Sequence, residues 1–289
     1  MSRAFSRSWR CHPKLEFSEE ALGLNGNQYG KIEKARDFTS KVDYILEKHS
    51  GIGVKVLKLQ IASVYNEKYC CHLDHLDSWL QIAVKPGIEE LNLCLPRLKA
   101  KYNFPCSLLS GGSGSLIQLL HLCCCTFRPT AKLGCFGSLK RLHLISVHIS
   151  GDELGCLLSG SLALELLRLK HCHEIVYVKV PFLLQQLSYI EVYDCRQLQV
   201  IESKAPNVRS LRFTNERLQL SFRESLLVKN IYMRNSNVLC HACVELPSIS
   251  PNLETATIVS SREVCFDEIL CDHRPMIYYI TVFIPLRII

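Results

Sequence analysis

The chain has 289 residues, 48% hydrophobic and 21% charged, which excludes a disordered or low-complexity polymer and supplies material for a substantial core. Its formal charge of +7 is uneven: Arg3, Arg7, Arg10 and Lys14 carry +4 with no acid among residues 1–14, leaving +3 for all the rest. That balance excludes a nucleic-acid-binding signature and leaves the start as no more than a basic arm or basic helix.

Sixteen cysteines are many for this length. Met1 opens a polar, basic segment with no apolar signal-peptide core, and no N-x-S/T site occurs anywhere. A reducing compartment, cytoplasm or nucleus, is therefore expected, with the cysteines acting as small buried apolar residues.

In chain order, the first regular element is a helix in "KIEKARDFTSKVDYILEKHSGIG". Phe38, Val42, Ile45 and Leu46 fall at helical spacing and Gly51 ends it. A second helix is expected in "HLDSWLQIAVKPG", with Leu76, Trp79, Leu80 and Ala83 on one face. From residue 54 onward one frame, L-x-x-L-x-L, recurs nine times. Its first two copies are Val54, Leu57, Leu59 and Ile88, Leu91, Leu93. The copies starting at 117, 139, 164, 187, 208, 228 and 253 are spaced by 22, 25, 23, 21, 20 and 25 residues. Such spacing is that of leucine-rich repeats, roughly 20–29 residues each.

The expected fold is therefore α/β: a leucine-rich-repeat solenoid over 54–260, with a curved parallel sheet on its concave side. Short helices such as "GDELGCLLSG" and extended runs such as Ile175 to Val178 and Leu198 to Ile201 should form the convex return path. "SGGSGS" (110–115) and "KAPN" (204–207) are expected turns. The helices between 18 and 53 and at 75–87 would cap the N-terminal end. The apolar tail 261–289 includes "MIYYITVFIP", too short before its Pro to span a bilayer as a helix.

Several stretches raise the question of chemistry. In "LELLRLKHCH", strand alternation sends His171, Cys172 and His173 to different faces. Cys172 shares its frame position with Cys125 and Cys195, so packing is the expected role. "CHAC" (240–243) is a lone C-x-x-C without a second pair, and Cys123 of the run Cys123-Cys124-Cys125 should face the concave surface, open to oxidation. No metal, cofactor or catalytic residue is expected, and no Walker loop, nucleophile elbow or H-E-x-x-H occurs. Binding chemistry should lie at the solvent-facing frame positions Arg141, His143, Arg168, Lys170, Tyr189, Glu191, Tyr193, Arg212, Tyr232 and Arg234. Arg and Tyr are enriched at protein interfaces.

The phrases "DFTSKVDYILEKHSGIGVKVLKL", "WLQIAVKPGIEELNL", "FPCSLL", "SLKRLHL" and "APNVRSLRF" resemble those of plant F-box proteins with leucine-rich repeats and an FBD-type region. "SRAFSRSWRCHPKLEF" (2–17) looks like the end of an F-box, whose leading Leu-Pro and first two helices this sequence lacks. The resemblance implies a non-enzymatic substrate receptor of an SCF-type ubiquitin ligase. A target protein would bind on the concave face, and Phe5 and Trp9 would be the remaining contacts to a Skp-type adaptor. The truncation predicts impaired adaptor docking, and the apolar ending departs from the family. The alternatives are an immune-receptor-type repeat domain and a Cys/His metal-binding protein. No nucleic-acid or membrane partner is expected.

Overall fold

A computed structural model describes residues 9–24, 30–49, 53–65, 75–99, 101–110, 112, 114–130, 133–134, 136–214, 218–221, 227–235, 252–260 and 278–283. The chain forms two compact units, Met1–Ile149 and Ser150–Ile289.

In the first unit the repeat frame becomes a parallel sheet of β1 (Lys14–Phe17), β2 (Val56–Gln60), β3 (Glu90–Cys94), β5 (Leu119–Cys123) and β7 (Arg141–Ile145), in that order. Strand alternation explains the pairing. Leu57 and Leu59, Leu91 and Leu93, Leu120 and Leu122, and Leu142 and Leu144 are all fully buried, while their neighbours turn to the opposite, open face. A one-residue slip would expose every one of these leucines, so the register is firmly specified.

α1 (Lys31–Lys48) joins β1 to β2 and α2 (Leu76–Ala83) joins β2 to β3, so both lie on the return path of parallel turns. Phe38, Val42 and Leu46 are buried as the spacing predicts, and α2 buries all four expected residues. The two helices meet through Phe38 and Trp79, with ring centroids 6.4 Å apart, and the Trp79 indole donates to Asp43 Oδ1 at 2.6 Å. α1 ends at Lys48, before Gly51, which lies outside the described residues. Two short strands, β4 (Tyr102–Asn103) and β6 (Cys125–Thr126), pair on the return path, where Phe104 and Phe127 pack edge to face.

In the second unit β8 (Leu166–Lys170), β10 (Tyr189–Tyr193), β12 (Ser210–Phe213), β14 (Asn230–Asn235) and β15 (Thr255–Ser260) are parallel in that order. β16 (Tyr278–Phe283) adds an antiparallel edge beside β15. The return path holds a smaller parallel sheet of β9 (Tyr177–Val180), β11 (Val200–Ser203) and β13 (Gln219–Ser221), the first two drawn from the β-branched runs. The strands start two residues later than those runs, because Ile175 and Val176 lie in the turn after β8. The sheets thus extend past the 54–260 frame at both ends, through β1 and β16.

α3 (Gly151–Ser159) opens the second unit with a capping box: Ser150 Oγ accepts from the Glu153 backbone N–H at 3.2 Å, and Glu153 Oε2 accepts from the Ser150 N–H at 2.7 Å. Gly151 is required here for space. A Cβ at this position would sit 2.7 Å from the Tyr177 carbonyl oxygen and 3.1 Å from its ring. Gly151→Ala should destabilise the unit by about 1 kcal/mol through this overpacking, read as a lower chemical-denaturation midpoint at unchanged slope.

One backbone feature repeats. Cys124, Ser146, His171 and Asp194, each the residue directly after β5, β7, β8 or β10, have φ of 58°, 53°, 54° and 47°. Strict alternation would send these residues into the core. The left-handed turn inverts the alternation, so the next residue enters instead: Cys125, Val147, Cys172 and Cys195 are at most 1% exposed. Adopting this conformation costs a non-glycine residue roughly 1–2 kcal/mol, offset here by the burial that follows.

Candidate functional site

On the open face of the second unit, strand register sets side chains into rows. The middle row runs Arg168, Glu191, Arg212, Tyr232, Thr257. Glu191 is not the solvent-facing acid that alternation suggests: it is 3% exposed. The Arg168 Nε donates to Glu191 Oε2 at 2.6 Å, Lys170 Nζ lies 2.9 Å from Oε1, and the Tyr189 hydroxyl donates to Oε2 at 3.5 Å. Register is the cause, since Arg168 lies beside Glu191 on the adjacent strand and Lys170 stands two residues further along β8 on the same face. Burial pushes the Glu191 carboxyl up, but the hydrogen bonds and charges of Lys170 and Arg168 outweigh it and hold the group below the ordinary glutamate value. Arg168 and Lys170, expected as free binding groups, are thus engaged in holding one buried carboxylate.

The groups beyond Glu191 are more open to a partner. Arg212 lies over the Tyr232 ring, with its guanidinium carbon 4.1 Å from the centroid. Its Nε is buried with no hydrogen-bond partner among the described residues. Tyr193 stands in the next row beside Lys170, its register partner, whose Nζ lies 5.8 Å from its ring centroid; the His171 ring is 5.5 Å away, and Arg234 is exposed. A parallel row, Ser210, Asn230 and Thr255, is linked by side-chain hydrogen bonds: Asn230 Nδ2 donates to Ser210 Oγ at 3.4 Å, and the Thr255 hydroxyl donates to Asn230 Oδ1 at 2.5 Å. Sequence reasoning passed over this row because only register reveals it.

At the strand ends, His171, His173 and Asp194 offer ligand atoms within 4.8 Å of one another, while Cys172 is buried in the core as expected. His171 Nδ1 lies 2.9 Å from Asp194 Oδ2, and the exposed Arg196 guanidinium lies 3.4 Å from Asp194 Oδ1. The arrangement reads as a surface ion-pair cluster.

On the open face of the first unit, Arg141 is exposed, 3.8 Å from Glu90, and His143 packs edge to face on His121 with centroids 5.4 Å apart. Cys123, expected to face solvent, is 9% exposed: it lies 3.6 Å from Cys94 Sγ and 3.1 Å from His121 Nε2. The neighbouring strands cover it, since Cys94 is its register partner and His121 stands two positions before it on the same face. Phe5, the side chain of Trp9 and the "CHAC" segment lie outside the described residues.

No helix among the described residues is long and apolar enough to cross a membrane. A family model described as "At1g61320/AtMIF1, LRR domain" matches residues 45–285. No curated protein and no solved structure matches the chain.

Proposed function

From the premise that the chain belongs to this leucine-rich-repeat family, we propose that it is a non-enzymatic recognition module that captures a protein on the open sheet face of its second unit. Leucine-rich-repeat domains are typically interaction modules, and stacked repeats align side chains over an extended surface. The observation that carries the reading is Arg212. A guanidinium stacked on Tyr232 with a buried, unsatisfied Nε is costly by itself, and turning the side chain toward an acceptor of a partner would relieve that cost. A carboxylate or backbone carbonyl fits, since Arg is built for forked hydrogen bonding.

The finer reading, carried by the family phrases alone, is a substrate receptor of an SCF-type ubiquitin ligase in the cytoplasm or nucleus. The captured protein would be the one ubiquitinated, and Phe5 and Trp9 would contact a Skp-type adaptor.

Both parts can be tested with the full chain. Quantitative cross-linking should show a set of captured proteins that is lost in Arg212→Ala and Tyr232→Ala and retained in Arg36→Ala, a substitution at an exposed site on α1. Removing such an Arg anchor should weaken capture by at least tenfold, about 1.4 kcal/mol or more. An unchanged set in both variants rules out this face. Adaptor binding, measured with purified Skp-type protein, should fall in Phe5→Ala and Trp9→Ala. No binding even by the unaltered chain would leave a repeat domain that works outside the ligase.

A further inference from the structure

We propose that Cys94, His121 and Cys123 form a zinc-binding site on the open face of the first unit, independent of the protein-capture reading. Three donors of the right kind converge from two adjacent strands. Cys94 and Cys123 are register partners on β3 and β5, and His121 stands on the same face of β5 two residues before Cys123. The sulfurs lie 3.6 Å apart, His121 Nε2 lies 3.1 Å from Cys123 Sγ, and all three ligand atoms fall within 4.8 Å of one another.

The sulfur–sulfur separation is close to a tetrahedron's edge, and the sulfur–nitrogen contact is shorter than one. Zn–S bonds of about 2.3 Å and Zn–N bonds of about 2.0 Å place two sulfurs roughly 3.8 Å apart and sulfur and nitrogen roughly 3.6 Å apart. Opening the His121–Cys123 contact by about half an ångström would admit the ion. The fourth position falls to solvent or to His143, whose ring is centred 5.4 Å from that of His121. Thiolate and imidazole together select a borderline-soft ion over calcium or magnesium.

Binding displaces both thiol protons to solvent, leaving two thiolates and a neutral imidazole against the dication. Among the described residues, the second cluster of metal-ligand types, His171, His173 and Asp194, is less suited. Its carboxylate already faces the Arg196 guanidinium and the group is half-exposed.

The spacing explains why no motif announces the site. Twenty-six residues separate Cys94 from His121, and the pair meets only because one full repeat intervenes. The same property gives a sharp test. The full chain, reduced and stripped with chelator, is titrated with Co(II) and then with Zn(II).

One Co(II) per chain should bind with tetrahedral visible bands and a thiolate charge-transfer band, and Zn(II) should displace it. Cys94→Ser and Cys123→Ser should each lower that band by about half or abolish it, and His121→Gln should weaken Zn(II) binding at least tenfold. Cys156→Ser, at an exposed thiol on α3, should change neither. Should a serine variant fail to fold by circular dichroism, X-ray absorption at the zinc edge of the unaltered chain decides: two sulfurs with one or two nitrogens support the site, and three or four sulfurs overturn it. It is equally overturned by no charge-transfer band, by an unchanged band in the double Cys94→Ser/Cys123→Ser chain, or by a Cys94–Cys123 disulfide in protein isolated under reducing conditions.

Discussion

Leu167→Ala should destabilise the second unit by about 3 kcal/mol, whereas Arg168→Ala, one position along the same strand, should cost less than half as much. Leu167 is fully buried, with Ile190 as its register partner and Leu169 and Val192 beside it. Truncation removes buried methyls and leaves a cavity that strands held by the β8–β10 ladder cannot collapse to fill. Arg168 is partly exposed, so its truncation is softened by water, although Glu191 then keeps only Lys170 as its cation. Denaturant titration followed by backbone circular dichroism measures both. Equal losses at the two positions would show that the two faces of β8 are wrongly assigned.

Glu191→Ala is expected to cost about 2–3 kcal/mol, a large effect for a residue on the open face. Arg168 and Lys170 converge on its carboxylate and would be left in mutual repulsion. The full penalty of breaking a buried pair is reduced because both cations keep roughly a third of their surface in water. Glu191→Gln keeps the shape and removes only the charge, so its cost isolates the ionic part. The pH dependence has a definite sign. The folded-state value of Glu191 is depressed, so its contribution is complete above the unfolded-state value near about 4.3 and is lost as pH falls through the lower folded-state value. Stability curves of the unaltered chain and Glu191→Gln should therefore lie apart at neutral pH and converge on acidification. A constant gap across that window would mean that the ion pairs contribute nothing.

Much of the architecture is legible because it rests on a period. Leu164, Leu167, Leu169 and Cys172 report their environment through spacing alone, and that information is local. α1 and α2 are legible for the same reason, through apolar residues at helical intervals. What escaped is everything that depends on which strand lies beside which. The burial of Glu191 follows from Arg168 on one neighbour, and the Cys94–His121–Cys123 cluster from a register partner one repeat away. β1 escaped as well, because Leu15 and Phe17 lie ahead of the first full copy of the frame and are buried only because β2 pairs with them. The left-handed residues were hidden too: Cys124, Ser146, His171 and Asp194 share no side-chain chemistry, only the place where the alternation must invert.

The order of strand pairing has a consequence for how this protein is made. In the large sheet of the second unit each parallel strand after β8 pairs with the strand one repeat before it: Glu191 with Arg168, Arg212 with Glu191, Tyr232 with Arg212, Thr257 with Tyr232. Among the described residues, no strand there waits for a partner from a distant part of the chain. At about 5–20 residues per second, a ribosome delivers each new strand roughly 1–5 s after the one it joins. Nucleation can occur on the first pair, and growth can then follow translation, so little leucine-lined edge stands open at any moment. A nascent chain halted within this unit should already hold its completed turns in a protease-resistant state.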